Sequence, residues 1–294
     1  MPLVSIVLPT FDRLGPLRAT VTSVRAQTFA DWELVVADDG SSGPTAAYLR
    51  DLEHDTRVRV LWLPHSGSPA VARNAALAAA RGEFAAFLDS DDLWEPEKLR
   101  LQLDALAAEP DCQWCYSAFT RIDAHGAVLA DERGRRWNPV TGDIFLAALR
   151  GEASLRTPCV LARRQFVLDA SGFDPAIAAC EDYDLWLRLA LRSPVVLVDR
   201  PLARVRIAPG SYSGQWPHVI YYQIRSIEKL QRLAPPRCQP ALRRQRARYS
   251  VALAREYRAR GDASAMTRTL LASFPFAWRY PASWLGALRA LLGI

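Results

Sequence analysis

VSIVLPTFDRLGPLRATVTSVRAQTFADWELVVADDG, residues 4–40, is the stretch on which the fold assignment turns. Val4 to Leu8 is a short continuous apolar run ended by Pro9, the pattern of a buried strand. Residues 16–27 then set Leu17, Val21 and Val24 at helical spacing, and Glu33 to Ala37 returns to a strand pattern. Strand and helix keep alternating: a helix over 44–53, a strand over Val58 to Leu63, an Ala-rich helix over 69–80 and a strand over Phe84 to Leu88. This alternation predicts parallel strands joined by right-handed crossovers, with helices covering both sheet faces. The expected class is α/β, with a Rossmann-like first half. In open sheets of this kind a ligand lies at the carboxyl ends of the strands.

Those ends hold Pro9-Thr10-Phe11-Asp12, Asp38-Asp39-Gly40-Ser41-Ser42 and Asp89-Ser90-Asp91-Asp92. Carboxylates this close repel and raise one another's pKa, so a cation is their natural complement. Magnesium and manganese take oxygen ligands and are commonly completed by substrate phosphates. Asp89-x-Asp91 therefore suggests a metal and diphosphate site, the alternative being caps for a helix beginning near Glu95-Pro96. Beyond residue 110 the alternation weakens. Strands are expected at Gln113 to Arg121, Cys159 to Ala162 and Val195 to Val198, with helices over 141–150 and 180–192, which makes a mixed second half. Trp186 and Leu187 read as core.

The chain has 294 residues, 50% hydrophobic and 23% charged, which excludes a disordered tail or a fibre. It shows no run of 18 apolar residues, and MPLVSIVLPTFDR lacks the basic region and cleavage site of a secretory signal, so a cytoplasmic location is expected. Five cysteines, with Cys112 and Cys115 the one close pair and no histidine cluster nearby, read as structural thiols. The net charge of +6 hides a division: residues 1–214 carry 23 Lys plus Arg against 28 Asp plus Glu, residues 215–294 carry 14 against 3. A domain is expected over 1–214 and a basic helical extension over 215–294. No nucleic-acid partner is expected, because the extension lacks the spacing of any nucleic-acid-binding motif; peripheral contact with an anionic membrane at its inner face, or a homodimer, suits it instead.

Taken together, VSIVLPTFDR (4–13), QTFADWELVVADDGSS (27–42), ARNAAL (72–77), GEFAAFLDSDDLWEPEKL (82–99) and GFDPAIAACEDYDLWLRLA (172–190) resemble glycosyltransferase family 2, inverting enzymes of GT-A fold, in order and spacing. The resemblance covers about residues 1–215 and implies a Rossmann-like nucleotide-binding half with a mixed-sheet acceptor half. It implies that Pro9, Thr10, Phe11 and Asp39 hold the nucleoside, Asp39 accepting the imide N–H of the base, a role that needs an acceptor. Asp38 is left to the turn. Arg73 would approach the base and phosphate, Asp89 the ribose or a metal-bound water, and Asp91 the metal, with Ser90 between them. Asp92 would support the metal or cap the next helix. Asp182 resembles the family's base, which takes a proton from the acceptor hydroxyl, and Glu181 would orient the acceptor.

Two departures accompany this resemblance. Ala208, in Arg204-Val205-Arg206-Ile207-Ala208-Pro209-Gly210-Ser211, stands where many members carry a histidine that completes the metal site; Arg206 would then meet the diphosphate. The Gln-x-x-Arg-Trp motif of processive synthases is missing, which favours one sugar per binding event. The implied activity is transfer of a single sugar from a nucleotide sugar, a UDP-sugar foremost, to a saccharide or lipid-linked acceptor, with a divalent metal (Mn or Mg), in bacterial surface polysaccharide or glycolipid synthesis. A catalytically silent nucleotide- or carbohydrate-binding protein and a nucleotidyltransferase stay open as alternatives. Along the extension, Trp284, Leu285, Leu288, Leu291 and Leu292 recur at helical spacing, and with Trp278, Tyr280 and the upstream arginines they suit a membrane interface, or packing on the catalytic domain or in a dimer.

Overall fold

The computed structural model describes residues 1–130, 139–207 and 216–277. The chain divides into two compact units: Met1–Pro175 with Leu185–Ala208, and Ala176–Asp184 with Pro209–Ile294. Unit 1 begins β1 (Val4–Thr10), α1 (Leu14–Arg25), β2 (Trp32–Asp38), α2 (Gly43–Leu52), β3 (Val58–Trp62), α3 (Pro69–Ala79) and β4 (Phe84–Phe87). These four strands are parallel, in the order β3-β2-β1-β4. Both faces of β1 and β2 are buried, which is why they read as continuous apolar runs and not as alternating ones. Leu17, Val21 and Val24 of α1 lie in one core with Ile6, Leu8, Leu34 and Val36.

The strand does not stop at Pro9, as its sequence suggested, but runs to Thr10. Val7 faces β4, since its carbonyl accepts the Leu88 N–H, while Thr10 accepts the Asp39 N–H on the β2 side. Alternation puts Pro9 towards β4, past the last β1–β4 pair at Val7 and Phe87, where no ladder bond asks for its missing N–H.

The second half is mixed, as expected. It contains β5 (Leu93–Trp94), α4 (Lys98–Ala108), β6 (Trp114–Ile122), β7 (Val128–Ala130), α5 (Phe145–Arg150), β8 (Val160–Arg163), α6 (Arg164–Asp169), α7 (Glu181–Ala190) and β9 (Val195–Arg206). Among the described residues the sheet reads β3-β2-β1-β4-β8-β6-β9-β5, with β7 on β6; β8 is antiparallel to both its neighbours and β9 parallel to β6. β5, β7 and α6 are too short to leave a periodic signal. β9 was expected to end at Val198. It continues because the register shifts there, with Val198 opposite Ser117 and Pro201 opposite Ala118, so the extra residues bulge out of the ladder. Trp186 and Leu187 are buried, and Trp186 packs with Phe87, Phe173 and Trp114 in the core. All five cysteines are buried free thiols.

One buried polar cluster locks the first half. Ser5 lies opposite Glu33 in the β1–β2 ladder and donates to Glu33 Oε1 at 2.6 Å. The Arg81 N–H and Nε donate to Glu33 Oε1 and Oε2 at 2.7 and 2.9 Å, and the Gly82 N–H donates to Ser5 Oγ at 2.7 Å. A β-carbon at Gly82 would sit 2.6 Å from the Ser5 nitrogen, so the chain entering β4 passes β1 at a distance only glycine allows.

Unit 2 contains α8 (Trp216–Leu233), α9 (Gln239–Ala259) and α10 (Ala263–Ala277). Pro235-Pro236 ends α8, since proline cannot continue its ladder. Ile227 and Leu230 of α8 and Leu242, Leu253 and Ala254 of α9 are buried, and Arg246 pairs with Glu228 at 2.6 Å. No described helix is long and apolar enough to cross a membrane. Ala208 and the aromatic and leucine-rich positions from Trp278 to Leu292 lie outside the described residues.

The Glu33 cluster yields a pH-dependent prediction. Burial works to raise the Glu33 pKa, but the Ser5 and Arg81 hydrogen bonds and the Arg81 charge outweigh it, holding the carboxyl below its ordinary 4.5. The unfolded chain therefore binds the proton more readily, so this stability is present above pH 4.5 and lost as pH falls through the lowered value. Glu33→Gln should cost about 1–3 kcal/mol at pH 7 in urea unfolding. Its deficit against wild type should shrink as pH falls below about 4; a deficit that is constant with pH would remove the charge from this account.

Candidate active site

The donor-site residues expected from the sequence all lie in unit 1, at the end of β1, on the loops after β1, β2 and β4, and on α3, with Arg206 at the end of β9. The loop after β1 is held by a reciprocal clamp: the Asp12 N–H donates to Ser41 Oγ at 2.8 Å, and Asp12 Oδ1 accepts the Ser42 N–H at 2.9 Å. Asp12 adopts φ +40°, a left-handed conformation that aspartate tolerates better than most residues. Thr10 is buried, and its Oγ1 has no hydrogen-bond partner among the described residues, a polar atom left over for a ligand. Phe11 is half-exposed and stacks on His65 with ring centroids 4.2 Å apart.

Asp39 is more engaged than its expected role requires. Its Oδ1 accepts the Ser66 N–H and the Ser66 hydroxyl, both at 2.8 Å, and its Oδ2 accepts the Gly67 N–H at 2.9 Å. His65 Nδ1 lies 3.1 Å from Oδ2 and 2.8 Å from the Asp39 carbonyl oxygen. Burial works to raise its pKa, but these donors and the neighbouring His65 hold the carboxyl below its ordinary value. Asp38 Oδ2 accepts the Ser41 N–H at 3.0 Å, the turn role assigned to it. Gly40, at φ +86°, lets this turn pass His65, since a β-carbon there would come within 3.1 Å of that residue.

The acidic loop after β4 is surrounded by arginines. Arg73 of α3 is buried and donates from Nη2 to Asp89 Oδ1 at 2.6 Å, with its guanidinium 5.3 Å from the Phe173 ring. Arg13, from the loop after β1, donates from Nη1 to Asp91 Oδ2. Asp92 is buried; its Oδ1 accepts the Arg206 N–H at 2.7 Å, and it caps no helix, because α4 begins only at Lys98. The Arg206 guanidinium donates to the carbonyl oxygens of Asp91, Asp123 and Ala124 at 2.8–2.9 Å, so it braces the acidic loop from the end of β9. Ser90 is buried within the loop, and Pro9 lies in the last pairs of β1 with β2.

Burial and mutual proximity make these carboxylates costly to ionise. Burial and the charge of Asp89 push the Asp91 carboxyl up in spite of Arg13 and Arg206, and burial with Asp89 and Asp91 pushes Asp92 up further. Among the described residues no three His, Cys, Asp or Glu side chains form a ready-made metal cage. Close-set carboxylate oxygens nevertheless fit a hard cation that draws its other ligands from phosphate and water. Asp89 and Asp91 would be its protein ligands.

The expected base lies in the other unit. Glu181 and Asp182 occupy the first turn of α7, whose residues up to Asp184 belong to unit 2. Asp182 Oδ1 accepts its neighbour's Tyr183 N–H at 2.7 Å, and Glu181 is buried. Asp184 is fully buried and receives Ser226 Oγ and Lys229 Nζ of α8, each at 3.0 Å, which makes it a structural anchor. Sequence reading passed over Arg13, His65, Ser66 and Gly67. His65 to Gly67 follow β3 and obey the strand-end rule that found the others; Arg13 had the signal of a cation next to an acid-rich site.

The Asp39 bonds lead to a second prediction. Asp39→Ala should lower the stability of the ligand-free protein by about 2–3 kcal/mol, because the donors of Ser66 and Gly67 lose a charged acceptor. Thermal unfolding without nucleotide is the measurement, and an unchanged midpoint would show that the loop after β3 does not depend on it.

The model of the family described as "Glycosyl transferase family 2" matches residues 5–171. TuaG of Bacillus subtilis is 36% identical over 129 residues, 44% of this chain, which spans 51% of TuaG's length. The UDP-Glc:alpha-D-GlcNAc-diphosphoundecaprenol beta-1,3-glucosyltransferase WfgD of Escherichia coli is 31% identical over 190 residues, 64% of this chain and 69% of WfgD. Among solved structures, the mannosyltransferase PcManGT of Pyrobaculum calidifontis, in complex with GDP-Man and Mn2+, superimposes with a TM-score of 0.65 over 99% of this chain and 87% of its own, at 17% identity, a likeness of fold.

Proposed function

This chain belongs to glycosyl transferase family 2 and has a GT-A fold, and we propose that it transfers one sugar from a nucleotide sugar, foremost a UDP-sugar, to a hydroxyl of a saccharide or lipid-linked acceptor in bacterial surface polysaccharide or glycolipid synthesis. The observation that carries this reading is the placement of Phe11, Asp39, Asp89 and Asp91 at the carboxyl ends of β1, β2 and β4 in unit 1, with Arg73 of α3 bonded to Asp89. The names of WfgD and PcManGT, with their UDP-glucose and GDP-mannose, support the donor class.

In this proposal the base lies against Phe11, whose exposed face offers a stacking surface, and Asp39 accepts its imide N–H once the loop of Ser66 and Gly67 gives up one of its bonds. Thr10 Oγ1 gains its missing partner. A divalent cation held by Asp89 and Asp91 would supply positive charge to the diphosphate. Arg206 keeps the acidic loop in place through the Asp91 carbonyl, and Glu181 orients the acceptor. Asp182 takes the proton of the acceptor hydroxyl as its oxygen bonds to the anomeric carbon. The bond to the diphosphate oxygen breaks on the opposite face and its electron pair leaves with the nucleoside diphosphate. The configuration inverts.

Asp182→Asn keeps the shape and removes the base. Nucleoside diphosphate release in the presence of acceptor should fall by a factor on the order of 10² to 10⁴, with donor affinity within a few-fold of wild type. A variant keeping most of its turnover would exclude Asp182, and release of pyrophosphate instead would assign the chain to nucleotidyl transfer.

We further propose that the basic extension holds the enzyme on the inner face of the membrane. Arg243, Arg244, Arg248 and Arg255 of α9 are exposed, and each basic residue near an anionic leaflet adds about 1 kcal/mol. Sedimentation should be strong with phosphatidylglycerol vesicles, absent with phosphatidylcholine, and lost at 0.5 M salt (a Debye length of about 4 Å) or when these four arginines are changed to glutamine. Equal sedimentation in all conditions would defeat this proposal, and a dimer in ultracentrifugation would assign the extension to self-association.

A further inference from the structure

Each carboxylate proposed to meet the metal already holds a guanidinium, and the two guanidinia differ in kind. Arg73 comes from inside α3; its side chain is 7% exposed, and the Phe173 ring confines it beside Asp89. Arg13 comes from the surface; its side chain is 49% exposed, against 26% for Asp91. The first pair is built in. The second is held by one long side chain in contact with water, which makes it weak and quickly exchanged.

The position of Arg13 is nevertheless prepared. The clamp between Asp12 and the Ser41-Ser42 turn fixes the chain immediately before it, at the left-handed φ of Asp12. Phe11, on the other side of Asp12, is aimed at His65 by the same turn. A single three-residue turn thus presents an aromatic surface in one direction and a cation to Asp91 in the other.

We propose that Arg13 is a built-in counter-cation that occupies Asp91 Oδ2 in the free enzyme, excludes the divalent metal from that oxygen, and moves onto the diphosphate when the nucleotide enters. Arg13 and the metal then compete for one oxygen, so the metal binds weakly alone and tightly after nucleotide. A guanidinium suits both positions, since it forms charge-assisted bonds with carboxylate and phosphate alike. This positioning role rests on the reading of Asp89 and Asp91 as the site of metal and diphosphate.

The test is calorimetric titration of the full chain with MnCl2 alone, with uridine diphosphate alone in EDTA, and with both. Arg13→Gln should bind Mn2+ alone about three- to tenfold more tightly than wild type, and uridine diphosphate alone correspondingly less tightly. Arg13→Lys should restore part of both differences. The gain in Mn2+ affinity should vanish when Arg13→Gln is combined with Asp91→Asn, which a general change of fold or net charge would not reproduce. Equal or weaker Mn2+ affinity in Arg13→Gln, including no binding at all, would overturn the inference, as would a gain that survives Asp91→Asn. If Arg13→Gln tightens Mn2+ while uridine diphosphate binds to neither protein under any condition, the nucleotide reading fails and the competition at Asp91 stands.

Discussion

Three carboxylates in four residues, Asp89, Asp91 and Asp92, at the end of a buried strand are the constraint around which the carboxyl edge of unit 1 is arranged. Their mutual repulsion in a partly dry setting requires cationic or N–H partners, and each partner comes from a different part of the chain. Arg73 on α3 meets Asp89, Arg13 after β1 meets Asp91, and the backbone N–H of Arg206 at the end of β9 meets Asp92. The demand for charge at one loop therefore ties three elements, remote in sequence, to the carboxyl edge of the sheet. These partners leave the Asp91 and Asp92 carboxyls still raised, with burial the largest cause.

The neighbouring loops solve the opposite problem. Asp39 has an abundance of donors, and its low pKa follows from hydrogen bonds that hold the chain after β3 against the turn after β2. Asp12 does the same between the turns after β1 and β2. The surface proposed for the base is thus made of loops that hold one another through carboxylates, with Phe11 and His65 stacked at its edge. Such cross-bracing is what lets loops, the most mobile parts of a fold, serve as a positioned site.

The two units divide the proposed chemistry. Unit 1 carries the residues assigned to the donor, whereas Glu181 and Asp182 belong with the helices that follow Ala208. Asp184, fixed by Ser226 and Lys229, anchors the first turn of α7 within that second unit. The residue proposed as base thus sits beside a buried ion pair within the second unit.

The parallel first half of the sheet, the mixed second half and the acid-rich loops at the strand ends were legible in the sequence, because buried strands and amphipathic helices leave periodic signals and a strand end is a local feature. So was the family, through motifs whose order survives divergence. Pro9 inside β1, the bulge that carries β9 past Asp199 and the short β5, β7 and α6 were not legible, since each depends on which neighbouring strand is present at that level and not on the residues themselves. The partners of the site residues were hidden for the same reason: Arg13 and Asp91 are 78 residues apart. Composition and spacing determined which residue types gather at the site; only the folded chain decided that Asp39 is spent on Ser66 and Gly67, that Arg206 braces carbonyls, and that Arg13 stands on Asp91, because a side chain's partner is chosen by long-range packing of the sheet and its loops.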